Sequence, residues 1–107
     1  MKLSNSENRV LTELSKAFRE QFGAVEVRLY GSAARGDMDV ASDIDIFLVL
    51  PKVNWQIEKE IIKLCFDAEL ECGRVFSTVC YSVDCLQDGP LSESPLVLNV
   101  RKQGQRL

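Results

Sequence analysis

Residues Ile44 to Leu50 read Ile-Asp-Ile-Phe-Leu-Val-Leu and stop at Pro51, and this run constrains the fold more than any other part of the chain. After Asp45 every side chain in it is apolar. A strand with that pattern has no face to offer water, so it belongs near the middle of a sheet with helices packed on it. Pro51 ends the strand because its nitrogen cannot donate to a ladder. The 107 residues, 46% of them hydrophobic, are enough for one packed domain spanning 1–107.

The flanking segments carry their own boundary signals. Ser4 and Glu7 have capping-box spacing, and Val10, Leu11, Leu14, Ala17, Phe18 and Phe22 recur at helical intervals until Gly23. Val25 to Tyr30 reads as a strand ending at Gly31, and Asp43 to Leu50 as a second. Asn54 can cap a helix whose inner stripe is Ile57, Ile61, Leu64, Cys65 and Ala68, closed by Gly73. Arg74 to Tyr81 is rich in β-branched and aromatic residues and reads as a third strand. Asp88-Gly89-Pro90 marks a loop, and Ser94-Pro95 opens a last helix ending near Gly104. The expected fold is α/β, a mixed β-sheet packed with helices in the order α-β-β-α-β-α.

Two motifs sit at the ends of the first two strands. Gly31 lets backbone N–H groups approach an anion closely, Ser32 adds a hydroxyl, and a short helix opened by Ala33, Ala34 and Arg35 would aim its free N–H groups at the same spot. Asp43 and Asp45 are two apart on a strand, so both carboxylates project from one side while Ile44 and Ile46 face the other. Adjacent carboxylates repel unless a cation lies between them, and Mg²⁺ characteristically takes one or two carboxylates with phosphate oxygens and water. Arg35 is either a surface residue of that short helix or a further contact to phosphate or a partner. A calcium loop starting at Asp37 fails, because Ser42 would stand where Gly is needed and Leu48 where a bidentate Glu is needed.

Gly-Ser-x-Ala-Arg-Gly at 31–36 followed by Ser-Asp-x-Asp at 42–45 resembles the signature of the DNA polymerase β-like nucleotidyltransferase superfamily. The short chain and the closing segment Ser94 to Gly104 are similar to its minimal members, the MNT proteins often paired with HEPN-domain toxins. The resemblance implies a small nucleotidyltransferase core. It implies that Gly31 and Ser32 hold a nucleoside triphosphate, ATP or another NTP, and that Asp43 and Asp45 bind Mg²⁺ or Mn²⁺ as catalytic and metal residues. It further implies transfer of a nucleotidyl group, AMP from ATP, to a hydroxyl of a partner protein by the antitoxin of a HEPN/MNT pair. The alternative is a non-catalytic antitoxin that blocks a HEPN toxin by binding it.

The sequence departs from that family on the third strand. Catalytic members carry a further carboxylate there, whereas Arg74 to Tyr81 contains no Asp or Glu. Ser77 or Thr78 takes the position, and a hydroxyl is a poor substitute as metal ligand or general base. Asp84, just past the strand, is the candidate for a rescue.

Composition excludes other classes. A net charge of -3 and a pI near 4.9 argue against a broad basic surface for duplex nucleic acid. Cys65, Cys72, Cys80 and Cys85 form no C-x-x-C pair and no histidine is present, so structural thiols in a reduced, cytoplasmic setting are expected. No run is long enough to span a bilayer. Self-association is left open by the sequence.

Overall fold

A computed structural model describes residues 3–31, 43–88 and 94–107. Helix α1, Asn5–Phe22, begins with the capping box: Ser4 Oγ accepts from the Glu7 N–H at 3.2 Å, and Glu7 Oε1 accepts from the Ser4 N–H at 2.7 Å. Gly23, with φ of 68°, ends the helix in the left-handed conformation. Strands β1, Glu26–Tyr30, and β2, Ile44–Leu50, then pair antiparallel. Helix α2, Trp55–Cys72, is capped by Asn54, whose Oδ1 accepts from the Ile57 N–H at 2.9 Å, and it crosses over to strand β3, Phe76–Ser82, parallel to β2.

Helix α3, Val83–Asp88, follows β3 directly, then come helix α4, Pro95–Gln103, and a two-residue strand β4, Gln105–Arg106. The sheet order is β3-β2-β1-β4. This is the expected α/β architecture with two additions at the C-terminal end. Neither α3 nor β4 had a sequence signal, since six and two residues are too few to display a period. Leu107 extends the β4 contact by donating its N–H to Val27 O at 2.9 Å.

Strand β2 is central and buried, as its composition requires. On one face Val27, Leu29, Ile44, Ile46, Leu48 and Leu50 pack under α1 and α2 with Phe18 and Ile61. On the other, Phe47 and Val49 pack with Leu86 of α3 and Val97 and Val100 of α4. The ring centroids of Phe47 and Tyr81 are 5.4 Å apart on this second face. Each fully buried Leu, Ile or Phe here contributes about 1.5–3 kcal/mol, so both layers are needed to hold the sheet.

The third strand starts two residues later than its composition suggested. Arg74 leaves the ladder because its Nε donates to Glu7 Oε2 at 2.5 Å, tying the entry of β3 to the first turn of α1. Both side chains are largely buried. A partner 67 positions away in the chain overrides the local β-propensity of the segment.

Candidate functional site

Register brings three functional candidates to one end of the sheet. Tyr30 pairs with Asp45 across β1 and β2, and Asp45 pairs with Ser77 across β2 and β3. Partners at one register position share a face. Asp45 and Ser77 therefore lie on the α4 side of the sheet, where Tyr30 also packs, while Ile44 and Ile46 lie buried on the α1 side. Asp43, one residue before β2, is exposed, and Asp45 is half-buried.

Gly31 adjoins this pair directly. It has φ of +71°, a conformation that L side chains avoid, and a Cβ built on it would stand 2.6 Å from Asp45 Oδ2. The carboxylate thus occupies the space that any other residue at 31 would fill. A glycine at the strand end and a carboxylate on the neighbouring strand form a single small site.

The electrostatics of the site follow from that crowding. Burial pushes the Asp45 carboxyl above the usual aspartate value, and the charge of Asp43 adds to the effect. Burial likewise raises the Tyr30 phenol, with smaller contributions from Asp45 and Tyr81. Two repelling carboxylates beside a glycine fit a divalent cation carrying phosphate oxygens, since such an ion would offset the repulsion. Among the described residues no cluster of three or more His, Cys, Asp or Glu is present. Among those residues, the carboxylates at the site are Asp43 and Asp45.

Of the two hydroxyl candidates on β3, Ser77 is the one aligned with Asp45. Thr78 pairs with Ile46 and lies over α2 beside Ile62 and Phe66. Asp84 is not a substitute. Asp45 is level with Ser77 near the start of β3, whereas Asp84 follows Ser82 at the other end, about 17 Å along the strand from Ser77 at ~3.3 Å per residue. A rescue by Asp84 fails on distance. Ser32 and Arg35 lie outside the described residues.

Tyr30 escaped the sequence reading. The only local signal was its place before Gly31, and its position against Asp45 emerges from antiparallel pairing. The thiols fall out as structural groups: burial pushes Cys65 up to about 12 and Cys80 up to about 11. Cys85 is exposed on α3, and all four are free. No helix among the described residues is long and apolar enough to cross a membrane.

Comparison with known proteins places this site in context. One solved structure, from Sulfolobus solfataricus and itself only provisionally assigned as a nucleotidyltransferase, aligns with 84% of this chain and 86% of its own at 18% identity and a TM-score of 0.48. That likeness is too loose to transfer any residue. No curated protein matches the sequence. The sequence profile described as the nucleotidyltransferase domain matches residues 11–81, a span that runs from α1 to β3 and contains Gly31, Asp43, Asp45 and Ser77. With well over half of its length matched, the chain belongs to the nucleotidyltransferase-domain family.

Proposed function

We propose that this protein is a metal-dependent nucleotidyltransferase that moves AMP from ATP to a hydroxyl of a partner protein, acting as the antitoxin of a HEPN/MNT pair. The observation that carries the chemistry is the Asp45 carboxylate seated against the Cα of Gly31, with the charge of Asp43, two residues earlier, acting on it. Asp43 and Asp45 would hold Mg²⁺ or Mn²⁺. Gly31 leaves the Asp45 carboxylate room to sit against the strand end, where its backbone would meet a triphosphate, with Ser32 and Arg35 as the further nucleotide contacts. When bound, the metal supplies positive charge to the phosphate oxygens. The acceptor oxygen forms a bond to the α-phosphorus, the bond from that phosphorus to its bridging oxygen breaks, and pyrophosphate leaves. The acceptor's proton passes to solvent, because Ser77 offers no carboxylate to take it. Most of the work in such a transfer is positioning and charge stabilisation, so two carboxylates support a slow reaction.

The HEPN partner and the protein hydroxyl rest on the resemblance of residues 31–45 and 94–104 to MNT proteins. A second reading, favoured by Ser77 at the register of Asp45, is a non-catalytic antitoxin that binds nucleotide and blocks a HEPN toxin by direct contact. Calorimetry of ATP binding with and without Mg²⁺, on wild type and on Asp43→Asn with Asp45→Asn, tests the site. Binding that needs the metal and disappears in the double variant is expected. Equal binding by both proteins overturns the assignment. Labelled ATP with the HEPN partner then separates the two readings: label on the partner supports transfer, and Ser77→Asp should raise it severalfold by restoring a carboxylate beside Asp45. A partner that binds and stays unlabelled with both proteins assigns the non-catalytic reading.

A further inference from the structure

Strand β3 is an edge strand, and among the described residues no element pairs with its outer side. The Ile44 N–H donates to Val75 O, so in the parallel ladder residues 75, 77, 79 and 81 turn their backbone groups toward β2. Phe76, Thr78, Cys80 and Ser82 turn theirs outward. Natural edges are guarded by Lys, Pro, a bulge or an inward charge. Phe76 to Ser82, Phe-Ser-Thr-Val-Cys-Tyr-Ser, has no charge and no proline. It can pair with a strand of its own sequence without repulsion.

The helix above this edge carries a matching surface. On α2, Trp55, Ile62, Phe66 and Leu70 form one stripe at helical spacing and are exposed to 72%, 57%, 56% and 71%. A groove of about 310 Å³ runs between Ile62, Phe66 and Thr78, and the next one joins Trp55 and Ile62 to Thr78 and Cys80. Thr78 is thus level with the helix turn between Ile62 and Phe66. An apolar stripe beside an unguarded edge marks an interaction face.

We propose that this face binds a second copy of the same chain, with β3 paired antiparallel to its copy about a two-fold axis through Thr78. The axis pairs Phe76 with Cys80 and Thr78 with itself, and these are residues whose backbone groups point outward. Paired strands lie about 4.8 Å apart, which brings the two α2 helices alongside each other, antiparallel. An axis level with residue 64 of α2 then sets Ile62 against Phe66 and Lys59 against Glu69, each twice by symmetry. Opposite charges meet where like charges would have met in a parallel arrangement. Trp55 falls opposite Gly73, where no atom stands within 4 Å of a built Cβ. The axis set by Thr78 also brings Lys59 against Glu69, and that charge complementarity between copies favours a second copy over an unrelated partner. The proposal does not rest on nucleotidyl transfer.

Sedimentation equilibrium on the full chain tests it, with emission of Trp55, the single tryptophan, as a second readout. Wild type should dimerise, with a blue shift in emission as concentration rises. Phe66→Glu should be monomeric with an unchanged circular dichroism spectrum, because Phe66 is exposed in the monomer. Lys59→Glu and Glu69→Lys, each acting at two symmetric contacts, should weaken dimerisation about tenfold, and the combined variant should restore it. Wild type that stays monomeric to roughly 100 µM overturns the proposal. So does a dimer indifferent to both charge reversals, or a monomer that takes up a HEPN-domain protein through Phe66.

Discussion

Replacing Gly31 with Ala probes the closest contact in the site. The new Cβ meets two penalties. At φ of +71° an L residue is strained by about 1–2 kcal/mol. The Cβ also falls 2.6 Å from Asp45 Oδ2, and the carboxylate must retreat to at least 3.0 Å. Turning a short side chain off its rotamer costs about 0.5–1.5 kcal/mol. The sum is about 1.5–3.5 kcal/mol, or roughly 6–14 °C in Tm for a domain of this size. A carboxylate displaced by a few tenths of an ångström should also weaken Mg²⁺-dependent ATP binding about tenfold or more. Urea unfolding of Gly31→Ala, Asp45→Ala and the double variant separates the two penalties. With Asp45 truncated only the backbone strain remains, so the same glycine substitution should cost about 1–2 kcal/mol there. Equal costs in both backgrounds would refute the contact between Gly31 and Asp45, and no cost in either would refute the left-handed backbone.

Asp45→Asn should stabilise the metal-free protein at neutral pH. Its carboxyl is raised by burial and by Asp43, so wild type is fully stable below the ordinary aspartate value and loses stability as pH rises through the raised one. Residues two apart on a strand stand about 6.6 Å apart, and at that range the repulsion in water is about 0.6 kcal/mol, roughly halved by salt. Urea midpoints of the two proteins should differ at pH 7 and converge in acid, and a less stable variant at pH 7 would contradict the repulsion. Glu7→Gln should cost roughly 2–3 kcal/mol by uncoupling α1 from Arg74. The Glu7 carboxyl is held low by the Ser4 backbone N–H and, to a smaller extent, by the Ser4 hydroxyl and Arg74, which together outweigh the opposing effect of burial. Its contribution is therefore present above the ordinary glutamate value and lost as pH falls through the lowered one. The gap between Glu7→Gln and wild type should narrow in acid denaturation, and a constant gap would rule out the ionised pair as its source.

Elements whose signals lie within a few residues of one another were legible along the chain. The capping box at Ser4 and Glu7, the cap at Asn54, Ser94-Pro95 and the stops at Gly23 and Gly73 are all local hydrogen-bonding or dihedral preferences. The apolar run after Asp45 also fixed β2 as central, since a strand without a polar face has only one place in a sheet. Which residues meet depended on how the elements pack. Alternation put Ser77 and Thr78 on opposite faces, but only the pairing of β2 with β3 chose Ser77 for Asp45, and only the length of β3 excluded Asp84. The same holds for Tyr30 against Asp45, for Arg74 drawn out of its strand by Glu7, and for the residues after Gly104 that join β1 as β4. Register between strands is set by how two distant hydrophobic faces pack against shared helices, and a one-residue slip would reverse every face. No window of sequence contains that information, because the partners come from different parts of the chain.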